Sequence, residues 1–590
     1  MLYKVHDLPG ILSKAHFAEH DMESIDLFLN SVKDFSDQEL FPYLKEMDEQ
    51  PAIFKDGKVK VHPQVKNIMK KGGDLGLIGT PINFDDGGLQ LPLAVHTAAY
   101  YIMDAANNAV PGYTGLTLGA AELIVEFGND ALKEKYVPNM LSGDWGGTMC
   151  LTEPQAGSSL SDLTTSAAPQ KDGCYKISGQ KIFISGGDHE YVDNMVHLLL
   201  ARIEGAPAGT KGISLFVVPK YKVGEDGSLS PNDVATAGDF QKVGQKGYCT
   251  THLMFGEKGN CQGWLVGEKN LGLKYMFLMM NGARIAVGRG AAGIIEAAYQ
   301  ASLEYAKERA QGRRLIGGKK NLEEGQTLII NHPDVRRMLL MQKSISDVSL
   351  SLVLLAARYR DLSENAETKE ERDQYHLLLE MVTPMVKTLP SEMGITSISN
   401  GLQVLGGYGF CSEYILQQYY RDIRIFPIYE GTTGIQSLDL LARKIPMADG
   451  AALKLLSNEI LQTIKAASTY EGLKGYGEQL SKQLLQIGKV LGHLSSFAKA
   501  GDFERSIADA SIFMDYFGRI VGGWLSLDLA VKSHQAILTD DKSFPASMYE
   551  QKIHTMKYYF TYELPKCEGL RAILMNKEHI TIPEQSTVFS

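Results

Sequence analysis

Glu430 is the residue best placed to do chemistry. It sits between an apolar run, Ile425-Phe426-Pro427-Ile428-Tyr429, and a loop, Gly431-Thr432-Thr433-Gly434, that reads as the start of a helix. Pro427 disfavours helix in the residue before it, so the run is expected to be extended and strand-like. Ile435, Leu438, Leu441 and Ile445 then recur at three- and four-residue spacing, the pattern of a helix with one buried face. A carboxylate among Ile428, Tyr429 and Ile435 is poorly solvated, which raises its pKa and makes it a stronger base at neutral pH. The helix start acts in the opposite direction by favouring the anion. An acid that only complements the helix dipole satisfies the same spacing.

Three further stretches carry polar groups at suggestive spacing. Met149-Cys150-Leu151-Thr152-Glu153-Pro154-Gln155-Ala156-Gly157-Ser158 is a turn fixed by Pro154 and loosened by Gly157. Its hydroxyls and backbone N–H groups suit an acceptor-rich ring or a phosphate. An ordinary β-turn uses the same residue types. Lys181-Ile182-Phe183-Ile184-Ser185 reads by itself as a core strand, and Arg284, opening a long helix, as a structural ion-pair partner. Gln403-Val404-Leu405-Gly406-Gly407-Tyr408-Gly409 is a glycine cluster without the strand and ribose-binding acid of a dinucleotide fold.

Composition bounds the chemistry. The chain has 590 residues, 44% hydrophobic and 22% charged, enough for several packed domains. Its net charge of −10 does not favour a non-specific nucleic-acid surface. The six cysteines are scattered, without a CxxC, and form no ligand cluster with the histidines, so no metal site is expected and a reducing, cytoplasmic setting is. Met1–Leu12 has neither a long apolar core nor an Arg-rich amphipathic stretch, so no targeting signal is expected. No uninterrupted apolar run reaches eighteen residues, so no membrane span is expected.

The elements that must hold these residues fall into four expected domains. Residues 1–145 read as helical, with an amphipathic stretch over Asp21–Lys45, a shorter one over His62–Lys71, Ala-rich helices over Ala94–Ala106 and Thr117–Phe127, and a short helix over Ala131–Val137. Residues 146–275 read as a β domain, with strands near Lys176–Ser185, Met195–Ile203, Gly212–Pro219, His252–Phe255 and Gly263–Gly267. Residues 276–447 read as a bundle of four long antiparallel helices: Met276–Arg309, Pro333–Tyr359, Glu371–Gly401 and the helix after Glu430. Pro384 and Pro390 are expected to kink or interrupt the third. Residues 448–590 read as an additional helical domain, with helices over Ala451–Ala466, Gly472–Ala500, Arg505–Leu538 and Ser547–Glu563. Its 15 basic and 16 acidic residues give no basic excess.

The string RDIRIFPIYEGTTGIQ resembles the C-terminal signature of the acyl-CoA dehydrogenases, in which the glutamate of IYEGT is the catalytic base. Dense similarity covers about residues 75–445. GNDALKEKYVPNMLSGDW is similar to the family's N-terminal helical domain, and Cys150–Ser158 to its CxTEPxAGS signature. The resemblance implies a fold that is mainly α with a central β-sandwich or barrel: an N-terminal helical domain, a middle β domain and a four-helix bundle, here with an extra helical domain. It implies FAD as cofactor, with Met149, Leu151, Thr152, Gly157 and Ser158 lining the flavin and Ser158 also reaching the thioester end of the substrate. Phe183 and Ser185 replace the usual Trp and Thr of the strand that covers the isoalloxazine ring. Arg309 resembles the residue that reaches a neighbouring subunit's flavin pyrophosphate, and Gln403, Gly406 and Gly407 the loop at the adenine end. Thr432 and Gly434 complete the implied cofactor set; Asn281, Arg284, Tyr429 and Gly431 complete the substrate set. In some members the base immediately precedes the arginine; Ala283 stands there in this chain, so Glu430 has no rival.

The implied reaction is dehydrogenation of an acyl-CoA thioester to the trans-2-enoyl-CoA, as in fatty-acid β-oxidation. Glu430 takes the α-proton, flavin N5 accepts the β-hydride, and electrons pass to an electron-transferring flavoprotein. A homodimer, or a dimer of dimers, is implied. The alternatives are an acyl-CoA oxidase using O₂ and a flavin-containing, DNA-associated superfamily member. Phe513-Met514-Asp515-Tyr516, Gly523-Trp524 and Tyr549–Phe560 resemble the C-terminal extension of the long acyl-CoA dehydrogenases, the 3-methylmercaptopropionyl-CoA dehydrogenase type among them. In very-long-chain members such an extension docks on membranes; the lack of a strongly basic amphipathic segment here argues against it.

Overall fold

Between Trp145 and Val266 the chain alternates β-branched and aromatic residues with glycine breaks, and in the computed structural model these segments build one eight-stranded sheet. The structure describes residues 1–320, 322–578 and 580–582. The strand order is Val234–Asp239, Thr250–Phe255, Tyr175–Ser185, Gln262–Val266, Ile213–Pro219, Asn194–Ile203 and Trp145–Cys150. Ser166–Pro169 pairs antiparallel with Tyr175–Ser185 and parallel with Asn194–Ile203. Trp145–Cys150 also runs parallel to Asn194–Ile203, and the other pairings are antiparallel. Ile213–Pro219 is buried at every position because the sheet is covered on both faces. On one face Val196, Leu198, Leu215 and Val217 join a core with Ala120, Ala121, Ile124 and Met140 of the preceding helices. On the other, Leu199, Phe216, Val218, Leu253 and Phe255 pack together.

The chain forms two compact units, residues 17–283 and residues 1–16 with 284–590. In the first, the helices ahead of the sheet are Met22–Phe35, Gln64–Asp74, Leu93–Ala106, Pro111–Phe127 and Asp130–Leu141. Asp21 opens Met22–Phe35 with a reciprocal capping box to Ser24, and Asn129 caps Asp130–Leu141. The Asp21–Lys45 stretch is not one helix. It runs through a π-helical turn at Ser36–Leu40 and a tight turn at Phe41–Tyr43.

The second unit holds the long helices Pro333–Glu364 and Lys369–Leu405 and most of Gly272–Glu308. Lys369–Leu405 is one continuous helix, so Pro384 and Pro390 do not interrupt it. The carbonyl of Val386, left without an amide partner by Pro390, lies against Gly288, where a Cβ would come within 2.1 Å of it. Gly288→Ala is therefore expected to cost about 1–3 kcal/mol in urea unfolding. Gly488→Ala, in open space on the Glu471–Lys499 helix, is expected to stabilise by about 0.5–1 kcal/mol.

The long fourth helix after Glu430 is instead a short helix, Thr433–Leu438, followed by a π-helical segment, Asp439–Lys444. Of the expected face, Leu441 is buried and Leu438 is not. Leu438 is exposed, while Gln436, Ser437, Asp439, Leu440, Leu441 and Lys444 turn inward. The space is filled by Ala510–Leu538, from the C-terminal addition, which packs on Pro333–Glu364 and on Thr433–Leu438. Its Phe513, Tyr516, Phe517 and Ile520 are fully buried. The expected Arg505–Leu538 helix is broken before Ala510, and Ser547–Glu563 changes to π-helical geometry at Tyr559.

Pro333–Glu364 is, among the described residues, long and apolar enough to cross a membrane, and 83% of its most apolar eighteen-residue window is buried inside the protein.

Candidate active site

The run Ile425–Tyr429 is not a strand. It folds as consecutive turns, with the amides of Ile428 and Tyr429 both bonded to the carbonyl of Ile425 at 2.9 and 3.1 Å. Phe426 is buried, Ile428 faces solvent, and the Tyr429 ring packs edge-on against Phe426 at 5.5 Å. Glu430 (φ 54°) and Gly431 (φ 87°) are both left-handed, which reverses the chain ahead of the helix that follows. Thr432 caps that helix, its hydroxyl accepting the amide of Ile435 at 3.3 Å. Gln436 Nε2 donates to the Glu430 carbonyl at 3.2 Å. Glu430 thus lies ahead of the N-cap, outside the first turn where a dipole-complementing acid would sit. Neither its carboxylate nor its amide has a hydrogen-bond partner among the described residues.

Burial raises the pKa of Glu430; Lys387 and then Arg284 oppose the shift. The side chain keeps some exposed area, yet the surrounding protein desolvates it. Arg284 is buried and its Nη1 bonds Asp439 at 3.2 Å, so the ion-pair reading of this arginine holds. Asp439 also takes Arg443 at 3.2 Å. That pair ties the Gly272–Glu308 helix to the segment bearing the base. Asn281 is half-buried one turn earlier on the same helix. Gly434 is exposed in the first turn of Thr433–Leu438.

Arg309 stands just beyond the end of Gly272–Glu308, 5.6 Å from the ring of Tyr408. It is therefore beside the Gly406–Phe410 turn. Gln403, Gly406, Gly407 and Arg309 are all exposed, and Phe410 is 98% exposed.

In the other unit, Met149 and Cys150 end the strand Trp145–Cys150, and the Leu151–Ser158 turn that follows is held by Glu153. Its buried carboxylate accepts the amides of Thr164 and Thr165 at 2.7 and 3.1 Å, their hydroxyls at 2.8 and 2.5 Å, and Lys181 Nζ at 2.9 Å. Lys181 also donates to the Leu151 carbonyl at 3.0 Å, and the Ile182 amide to Thr152 at 2.9 Å. The turn is thus bolted to the strand carrying Phe183. Burial opposes ionisation of Glu153, but Lys181 and the Thr164–Thr165 donors prevail and lower its pKa to about 2. Phe183 (φ 57°) lies where the register against Thr250–Phe255 shifts, a bulge that turns its ring outward, 57% exposed and tilted against Phe240 at 4.5 Å. Met149, Leu151, Thr152 and Ser185 are half-buried, and Gly157 and Ser158 exposed.

Family models match in order along the chain: the acyl-CoA dehydrogenase N-terminal domain over residues 22–144, its middle domain over 148–257, its C-terminal domain over 270–445, and an acetyl-CoA dehydrogenase C-terminal-like domain over 456–582. The 3-methylmercaptopropionyl-CoA dehydrogenase of Ruegeria pomeroyi is 35% identical over 95% of this chain and 94% of its own. The chain belongs to the acyl-CoA dehydrogenase family. A butyryl-CoA dehydrogenase of Syntrophomonas wolfei is 33% identical over 98% of this chain and 96% of its own. A crystal structure of an acyl-CoA dehydrogenase complexed with FAD from Bacillus anthracis shares the fold, with a TM-score of 0.73 at 21% identity over 94% of this chain and 88% of that one.

Acyl-CoA dehydrogenases are FAD-dependent flavoproteins, and this acyl-CoA dehydrogenase has residues that fit the cofactor. The exposed Phe183 ring is a stacking surface, and the hydroxyls of Thr152, Ser158 and Ser185 have no hydrogen-bond partner among the described residues. Sequence reading missed the Glu153–Lys181 pair, Asp439 and Lys387. The signal for Lys387 was a single cation inside the otherwise uncharged run Met381–Pro390.

Proposed function

We propose that this acyl-CoA dehydrogenase converts an acyl-CoA thioester to the trans-2-enoyl-CoA, with Glu430 as the base that takes the α-proton. What carries the reading is the Glu430 carboxylate: desolvated, raised in pKa and, among the described residues, without a hydrogen-bond partner at a reversed turn. A carboxylate held by several donors would be a poor base; one relieved of them binds a proton more readily. The α C–H bond breaks, its proton goes to a Glu430 carboxylate oxygen, and the electron pair moves toward the thioester carbonyl. The unengaged Glu430 amide is the backbone donor for that oxygen as negative charge develops. Tyr429, Gly431, Arg284 and Asn281 shape the acyl side, and the Arg284–Asp439 pair keeps the base segment in register. FAD, when bound, supplies the two-electron acceptor for the hydrogen lost from the β-carbon.

Met149, Leu151, Thr152, Gly157, Ser158, Phe183 and Ser185 hold the flavin end; Thr432 and Gly434 belong to the same proposed cofactor set. Arg309 reaches the flavin pyrophosphate, and Gln403, Gly406 and Gly407 the adenine end, from across a homodimer interface. Support for the dimer comes from the exposed Arg309–Tyr408 contact and the neighbouring Phe410. An electron-transferring flavoprotein is the proposed electron partner and fatty-acid β-oxidation the proposed setting. Six unpaired cysteines suit a cytoplasmic location.

The test is anaerobic addition of a panel of acyl-CoA thioesters to the holoenzyme. Loss of the oxidised flavin spectrum with formation of enoyl-CoA, and turnover that needs an added electron acceptor, are the expected results. Equal turnover with O₂ alone would make the enzyme an oxidase, and no bleaching with any thioester would remove the reading altogether.

A further inference from the structure

Lys387 lies near the middle of the Lys369–Leu405 helix, is 0% exposed, and its Nζ has no hydrogen-bond partner among the described residues. An ammonium ion withdrawn from water without compensating hydrogen bonds is costly, and a merely structural lysine would be expected to have a partner. We propose that Lys387 is a positioning residue for the base: its buried, unpartnered ammonium acts on the Glu430 carboxylate and favours its ionised form, shifting the pH at which the enzyme becomes active. The inference rests on the reading of Glu430 as base and names the group that governs it.

The electrostatics run in the same direction from both sides. Burial lowers the pKa of Lys387 to about 8, and Glu430 is the largest influence holding it up, ahead of Glu392; Arg284 adds to the lowering. Lys387 is likewise the largest influence holding the pKa of Glu430 down, ahead of Arg284. The other charges on the surrounding elements are committed. Glu392 accepts the Thr433 hydroxyl at 2.5 Å on the same helix. Asp439 is paired with Arg284 and Arg443, and Lys444 with Glu380. Lys343 of Pro333–Glu364 is paired with Glu296 and Asp347, and Glu459 of Ala451–Ser468 accepts Tyr359. The buried Arg289 and Asp422 have interactions of their own. Lys387 is thus a cation whose interaction with Glu430 is not shared with a bonded counter-ion.

The sign follows. Without the ammonium, Glu430 takes up a proton at higher pH, so the fraction able to act as base falls on the acid side and is unchanged well above it. In Lys387→Met holoenzyme, kcat/KM at about pH 6 is expected to fall roughly tenfold more than at about pH 9. FAD remains bound and the thermal midpoint is not lowered, since an unpartnered buried charge has been replaced by an apolar side chain of similar length. Lys387→Gln should behave alike, and Lys387→Arg should recover the acid-side activity because it keeps the charge. A structural role would instead lower activity evenly across pH and reduce the thermal midpoint. The proposal is overturned if the pH profiles of the Met and Gln variants superimpose on the wild type after scaling, or if neither variant folds with FAD. Failure here with an inactive Glu430→Gln leaves the base reading standing; an active Glu430→Gln removes the base itself.

Discussion

Glu430→Gln is expected to reduce kcat by about 10²–10⁴-fold while the protein keeps its FAD. The substitution is nearly isosteric, and glutamine occupies the left-handed backbone at Glu430 under the same constraint as glutamate. No hydrogen bond is lost, because the carboxylate has none among the described residues. What disappears is the capacity to accept a proton. Binding of acyl-CoA should survive, so KM changes far less than kcat. Glu430→Asp shortens the reach by one methylene and should fall between the two. The visible flavin spectrum of each purified variant controls for retention of the cofactor. A Gln variant with near-wild-type kcat would show that the α-proton leaves by another route.

The loss is compounded by the surroundings. Lys387 loses the anion that keeps it protonated, so its own pKa falls below its native value of about 8. Arg284 loses nothing comparable, since Asp439 remains its partner at 3.2 Å. The carboxylate is therefore the hub of a small charge system in which one cation is committed elsewhere and the other is not.

That arrangement was only partly legible in the sequence. Glu430 could be singled out because it stands between an apolar run and a glycine-threonine loop, but its reversed turn could not. Pro427 argued for an extended run; the Ile425 carbonyl instead collects two amides and closes a turn. Three- and four-residue spacing after Glu430 predicted one long helix, but the helix is short and passes into the π-helical Asp439–Lys444. Periodicity does not record a π turn. Pro384 and Pro390 carry strong local signals for a break, yet Lys369–Leu405 passes through both, because Gly288 on a distant part of the chain lets a neighbouring helix close on the freed carbonyl. The role of Ala510–Leu538 was hidden for the same reason: which helix completes the bundle is decided by packing across hundreds of residues. Tyr175–Ser185 and Ile213–Pro219 were readable because their β-branched runs are long and bounded by glycine. The motif Thr152-Glu153-Pro154 drew attention to its hydroxyl, while the glutamate inside it does the structural work.

Glu153→Ala should therefore be the most destabilising single substitution in the unit that carries Phe183. It leaves Lys181 fully buried without its anion and strands the donors of Thr164 and Thr165. Breaking a buried pair from one side costs about 3–5 kcal/mol. The double variant Glu153→Leu with Lys181→Met should recover much of that, since an apolar pair of similar volume leaves no charge behind. Acid offers a second readout. The Glu153 pKa is about 2 in the folded chain, below its ordinary value, so its stabilisation is present above that ordinary value and is lost as pH falls toward about 2. In Glu153→Gln this acid-side loss should vanish, and urea midpoints at mildly acid and neutral pH should converge relative to the wild type. The consequence for function is loss of FAD before loss of fold: Thr152 and Phe183 are connected through the Lys181–Leu151 and Ile182–Thr152 bonds, so the turn and the strand separate once the pair is broken. Retained FAD in a stable Glu153→Ala variant would show that the turn is held by its backbone alone.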